Sequence, residues 1–170
     1  MYRGKPPAIE NRYEGDFAPF PIQVRVRKTG RTYEEESLIA VRTATDIVEA
    51  CGSDCRRYID LPEEGVAVVC PFKRGIVADF DLAATLLKYL LNKHRKVPKL
   101  LYMFRRPSVV LCFPRSVKLT TVETAAYNDC MMQAGCGKVR FFEGGIDELP
   151  RELEGKFDIA IGITYEEPRE

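Results

Sequence analysis

No stretch of this 170-residue chain approaches the ~18 consecutive apolar residues of a membrane span. The opening residues, Met1-Tyr2-Arg3-Gly4-Lys5-Pro6-Pro7, lack the apolar core of a secretory signal, so a cytoplasmic protein is expected. There is one histidine, His94. Cys51 and Cys55 are four apart and would share a helix face, but a metal site needs more ligands than that. The six cysteines are therefore expected as free thiols, with Cys70 and Cys112 as small core residues inside apolar runs. Neither a metal nor a cofactor is expected. Net charge is only +1, which argues against nucleic acid as a partner. Internal repeats and low-complexity segments are also absent.

What is present is ordinary in bulk, 45% hydrophobic and 30% charged, and long enough for one domain with a sizeable core or two small lobes. The charge is unevenly spread. Between Lys88 and Arg106 stand seven Lys or Arg, one His and no acid, whereas acids outnumber bases after Glu143. Residues 1–21 are rich in Pro, Gly and charge and read as irregular. Ile22-Gln23-Val24-Arg25-Val26-Arg27 alternates apolar and polar, the period of a half-exposed strand. A turn at residues 28–31 and a strand over 37–42 would complete a hairpin with a long loop. A short strand over 46–50, a short helix capped by Ser53 or Asp54 and stopped by Pro62, and a buried strand over 66–70 follow.

From residue 80 the pattern changes. Asp81 reads as an N-cap, and Leu82, Leu86, Tyr89, Leu90 and Lys93 recur at helical spacing up to Val97-Pro98. Residues 108–113 are apolar throughout, as in a strand buried on both faces. Thr120 or Thr121 opens a second helix that runs to Gln133, with Gly135 just past its end. Strands over 138–142 and 157–163 close the chain around a Gly144-Gly145 turn. Helices alternating with buried strands specify an α/β layered domain.

Several of these segments, in order and spacing, resemble the bacterial actin-like MreB, or rod shape-determining, family over residues 16–167. Pro71-Phe72-Lys73-Arg74-Gly75-Ile76-Val77-Ala78-Asp79-Phe80 is similar to the family's P-L-K-D-G-V-I-A-D-F. Glu36-Ser37-Leu38-Ile39-Ala40-Val41 is similar to E-P-S-V-V-A, and Thr120-Thr121-Val122-Glu123 with Gln133-Ala134-Gly135 to T-x-V-E and x-A-G. The resemblance implies an actin-like (ribonuclease H-like) ATPase fold truncated to its first half, the paired IA and IB subdomains, over residues 22–170. The second half would begin about where this chain ends.

The departures from that pattern bear on function. The family holds nucleotide phosphates with two Gly-rich hairpins, whose glycines let backbone N–H groups approach. The first falls on Asp16-Phe17-Ala18-Pro19-Phe20-Pro21, where Ala18 replaces a glycine and two prolines lack N–H donors. The second falls on Ala160-Ile161-Gly162-Ile163-Thr164-Tyr165, without its Asp and with bulk in place of two glycines. No nucleotide binding is expected at these degenerate positions, among them Asp16, Ala18, Ala160 and Gly162. Glu123 matches the family glutamate that positions the attacking water. Here it is expected only as a first-turn carboxylate at a helix's positive end.

Three other places could carry a contact. Leu100, Leu101, Tyr102, Met103 and Phe104 form an apolar run between a helix and a strand, collared by Lys96, Lys99, Arg105 and Arg106. Such a tip suits interfacial insertion into an anionic membrane, and the family inserts a loop at this place. The same residues could instead alternate inward as a core strand, or meet a protein. Gly144-Gly145 could cradle a phosphate but is more simply a turn, and Asp79 with Asp81 suggests a metal pair less well than a helix cap. The combined reading is a non-catalytic MreB-like protein of the cell-shape or cytoskeletal system. It would act through a protein partner or self-association and through membrane contact, in the cytoplasm or membrane-associated. Two other readings stay open: an ATP-binding fragment that completes its site with a second chain, and an interaction module with an unrelated role on an inherited fold.

Overall fold

The computed structural model describes residues 18–95, 98–102 and 104–166. Strand β1 (Pro21–Val26) buries Ile22, Val24 and Val26 and turns Gln23 and Arg25 away, as its alternation requires. The turn after it is tight. Gly30, at φ 66°, donates its N–H to Val26 at 2.9 Å, and β2 (Arg31–Glu36) pairs at once with β1, Val26 opposite Arg31. The expected long-loop hairpin with residues 37–42 is thus corrected. The partner is the Arg-Thr-Tyr-Glu-Glu-Glu strand, too polar to announce itself, because it forms the sheet edge and buries only Glu35.

The main sheet runs β2, β1, β10 (Ile159–Ile163), β8 (Ser108–Phe113), β9 (Lys138–Glu143). β10 is antiparallel to β1 and parallel to β8, and β8 is parallel to β9. The continuous apolar run of β8 serves two faces. Val109, Leu111 and Phe113 enter the main core with Ile159, Ile161 and Ile163, whereas Val110, Cys112 and Ala160 meet Ile146, Leu149 and Phe157 behind the sheet. On the main face lie α2 (Phe80–Arg95) and α4 (Thr121–Gln133), which pack on each other and bury Leu86, Leu87, Leu90, Leu91, Tyr127 and Met131. Behind it lies the short α5 (Arg151–Glu154), after a single 3-10 turn at Ile146–Glu148. A smaller antiparallel sheet, β4 (Ile47–Cys51), β3 (Ile39–Arg42), β5 (Val66–Val69), shares the main core through Ile39, Val41 and Val68. A two-residue-per-strand hairpin, β6 (Phe72–Lys73) with β7 (Ile76–Val77), joins it to α2.

Helix ends show one expectation met and two corrected. Thr120 caps α4 with a full capping box: its hydroxyl accepts the Glu123 N–H at 3.3 Å, and Glu123 Oε2 accepts the Thr120 N–H at 2.7 Å. At α2 the cap is Asp79, not Asp81: Asp79 Oδ1 accepts the Leu82 N–H at 3.0 Å. The first helix is a 3-10 turn, Gly52–Cys55, running into α1 (Arg56–Asp60), with no side-chain cap from Ser53 or Asp54. Those two are committed elsewhere: the Ser53 N–H to Glu35 at 2.9 Å, and the Asp54 carboxylate to the Tyr89 hydroxyl.

Candidate functional site

The residues read as a degenerate first phosphate hairpin meet those read as the second. β1 and β10 are neighbours, so Pro21 and Thr164 stand side by side at one end of the sheet. Asp16 and Phe17 lie outside the described residues. Of the segment after them, Ala18 is half-buried, Pro19 and Pro21 carry no N–H, and the Phe20 N–H is taken by Ser37 Oγ at 2.8 Å. The Thr164 N–H turns to the Pro21 carbonyl at 3.4 Å, which also accepts its hydroxyl. On these segments, then, Pro19 and Pro21 lack donors, and the N–H groups of Phe20 and Thr164 are spent on the chain itself.

Aromatic rings fill the space beside this junction. Phe20 packs on Phe72 (5.6 Å between ring centroids) and on Tyr165 (5.8 Å). Tyr165 in turn covers Gly75, where a Cβ would come within 2.9 Å of the Tyr165 Cβ. Tyr127, fully buried, donates its hydroxyl to the Gly75 carbonyl. The apolar residues and prolines of the segment 17–21 suit a cover across this junction, but the rings that Phe20 meets are not legible in the sequence, because they lie as far away as Tyr165.

At the carboxyl ends of β8, β9 and β10 a cleft of about 330 Å³ remains, lined by Gln23, Arg115, Gly144, Gly145, Glu148 and Gly162. Its cation is already matched, Arg115 to Glu148 at 2.8 Å. Gly144 gives its N–H to the Phe113 carbonyl at 2.7 Å, as a turn residue does. Ala160 is buried against the rear cluster, and Gly162 sits tight against the Gln23 side chain. Glu123 has both its roles within the α4 cap.

The apolar tip is exposed. Lys99 to Tyr102 form a single helical turn, α3 (Lys99–Tyr102), in place of the alternative inward strand. Leu100 is 72% exposed and Phe104 80%, with Leu101 open as well. Arg105 and Arg106 are exposed beside them, and the Arg95 guanidinium holds the Arg105 carbonyl at 2.8 Å. Lys96 and Met103 lie outside the described residues. Among the described residues no three His, Cys, Asp or Glu side chains gather as a metal site. Cys51 ends β4 and Cys55 ends the 3-10 turn, rather than sharing one helix face. Burial pushes their thiols up to about 11 and about 12, so both are poor nucleophiles at neutral pH.

One charged cluster was not foreseen. Glu35, 3% exposed, accepts from His94 Nε2 and from Lys93 Nζ, each at 2.8 Å, and His94 stacks on Tyr33 with centroids 4.2 Å apart. It ties the edge strand β2 to the end of α2 and to the Ser53 turn. Burial opposes the Glu35 charge, but Lys93, the Ser53 N–H and His94 outweigh it and hold the carboxyl below its usual range. A depressed carboxylate stabilises the fold above its unfolded pKa and loses that contribution as pH falls through the folded value. Glu35→Gln should therefore lower stability at neutral pH by ~2 kcal/mol, less than a fully buried pair because Lys93 can rehydrate. In chemical denaturation the gap to wild type should shrink as pH drops below about 4. A gap that stays constant with pH would contradict this role.

Comparison with known proteins places the chain. A family model described as MreB/Mbl protein matches residues 16–147. Cell shape-determining protein Mbl of Bacillus cereus is 27% identical over 128 residues, 75% of this chain and 36% of that protein. Cell shape-determining protein MreB of Pasteurella multocida is 27% identical over 124 residues, 71% of this chain and 34% of that protein. Crystal structures of MreB5 of Spiroplasma citri bound to ADP and to AMPPNP each align with TM-score 0.59, at 23% and 22% identity, over 76% of this chain and 36% of theirs. The likeness establishes an actin-like α/β fold, and this chain spans about a third of the length of the curated relatives it matches. β10 lies beyond the residues matched by the family model, yet it is the middle strand of the sheet.

Proposed function

Because the chain belongs to the MreB/Mbl protein family, we propose that it serves the cell-shape system as a non-catalytic, MreB-like component that works by contact. Its contacts are with protein, including other copies of itself, and with an anionic membrane surface. The observation that carries this reading is the closed junction of Pro21 and Thr164. The backbone that would hold phosphates in a nucleotide-binding relative here has two prolines and donors bonded to Ser37 and Pro21. Of the cations lining the clefts beside these segments, Arg115 is paired with Glu148 and Arg56 with Glu36, which leaves a phosphate little to bind.

The membrane part is supported by the exposed apolar tip. Inserting a large apolar side chain is worth roughly 1.5–3 kcal/mol, so Leu100, Leu101 and Phe104 together support weak, reversible attachment. Among the described residues no helix is long and apolar enough to cross a membrane, so attachment would be interfacial. The non-catalytic part is tested by thermal unfolding with and without Mg-ATP. A site filled at 100 times its dissociation constant would add ~2.7 kcal/mol. No shift is expected at millimolar Mg-ATP, and a saturable upward shift would overturn the reading.

A further inference from the structure

The sheet has two chemically different ends. At the carboxyl ends of β8 to β10 the cations are matched by acids: Arg115 by Glu148 at 2.8 Å, Lys118 by Glu143 at 3.3 Å. At the opposite end, where these strands begin, four segments distant in sequence are laced edge to edge by backbone hydrogen bonds. The Arg27 N–H donates to the Asp158 carbonyl (3.0 Å), the Asp158 N–H to the Ser108 carbonyl (2.8 Å), and the Gly137 N–H to the Pro107 carbonyl (2.9 Å). These bonds carry a row of bases along one rim: Lys28 and Arg31 from the β1–β2 turn, Lys156 before β10, Arg105 and Arg106 before β8, Lys138 opening β9. All six are exposed, and none makes an ion pair among the described residues. Asp158, an acid at this end, is half-buried and held by the Ser108 N–H at 3.0 Å and by Arg27 at 3.8 Å. The tip with Leu100, Leu101 and Phe104 stands on the same rim, since the chain passes from it through Arg105 and Arg106 straight into β8.

We propose that this whole rim, and not the tip alone, is a docking face for an anionic lipid surface, with Lys28 and Arg31 of the β1–β2 turn as headgroup contacts. It rests on the membrane reading above and extends it to residues about 70 positions from the tip in sequence. The sheet sets the geometry. Five strands at ~4.8 Å spacing make a rim about 19 Å wide, broad enough to lay several bases on one plane of phosphates while the tip enters the acyl boundary. Apolar side chains amid these bases favour lipid over nucleic acid, which offers no apolar phase to an aliphatic tip. Two contact zones on one rim also fix orientation, so the main sheet would meet the membrane end-on.

The test is vesicle co-sedimentation of the full chain with phosphatidylserine/phosphatidylcholine vesicles against phosphatidylcholine alone. Wild type should prefer the anionic vesicles, and Lys28→Glu with Arg31→Glu should weaken that binding at least about tenfold, with its melting temperature unchanged. If the turn variant fails to fold, Lys138→Glu with Lys156→Glu on the same rim should give the same loss. The tip variant Leu101→Asp with Phe104→Asp separates the two ideas. Loss of binding by the tip variant, with turn and rim variants binding as wild type does, overturns the docking face and leaves the membrane reading standing. Wild type that ignores anionic vesicles overturns both. Binding to duplex or single-stranded nucleic acid in preference to vesicles also overturns the docking face.

Discussion

Phe20→Ser should cost about 3 kcal/mol and lower the melting temperature by about 9 °C. Phe20 is 6% exposed and lies between the Phe72 and Tyr165 rings, where serine leaves a void and a hydroxyl to be matched. Large-to-small changes at buried phenylalanines cost ~3–5 kcal/mol; the lower end applies because Phe20 borders an open cleft with Pro19 and Pro21, where the void can be filled by water and by neighbouring side chains. The effect should not stay local. The Phe20 backbone exchanges hydrogen bonds with Ser37, so loosening it also loosens the start of the smaller sheet. A variant that melts like wild type would mean that the segment is a free tail, and that the rings of Phe72 and Tyr165 close the junction without it.

Leu101→Asp with Phe104→Asp should abolish detectable binding to anionic vesicles while the protein stays folded. Two inserted side chains worth roughly 1.5–3 kcal/mol each are removed, and two negative charges are set against an anionic surface. The sum exceeds what a weak interfacial anchor has to lose. Stability should change by no more than ~0.5 kcal/mol, because Leu101 is 48% and Phe104 80% exposed, and neither belongs to the core. High salt should weaken wild-type binding without abolishing it, since only the basic contribution is screened. Unfolding of the double variant would show that the tip packs inward in solution and would remove the membrane contact from the account.

The parts of this fold that were legible in sequence are those whose cause is local. Thr120 or Thr121 ahead of the first-turn carboxylate Glu123 marks the start of a helix, and the unbroken apolar run of residues 108–113 specifies a strand buried on two faces. Where two local choices were chemically equivalent the sequence could not decide: Asp79 and Asp81 can each cap a helix, and Asp79 does. Long-range choices were not legible. Arg-Thr-Tyr-Glu-Glu-Glu has the composition of a solvated loop, and it is a strand because β1 supplies its ladder and Lys93 and His94 supply partners for Glu35. Nor does anything local in residues 159–163 reveal that they form the middle of the sheet; that depends on β1 and β8 offering two facing edges. The basic rim is a product of the same pairing. Lys28, Arg105 and Lys138 belong to separate stretches of sequence, and only the register sets them side by side.

At the junction itself, part of the donor pattern is legible in the sequence and part only in the structure. Pro19 and Pro21 could be read directly, but the capture of the Phe20 and Thr164 N–H groups by Ser37 and Pro21 could not. That closed junction is the centre of the account, and calorimetric titration of the chain with Mg-ATP tests it most directly. The expected result is dilution heat alone, with no saturable component up to millimolar nucleotide. A saturable isotherm with a micromolar dissociation constant would contradict the account.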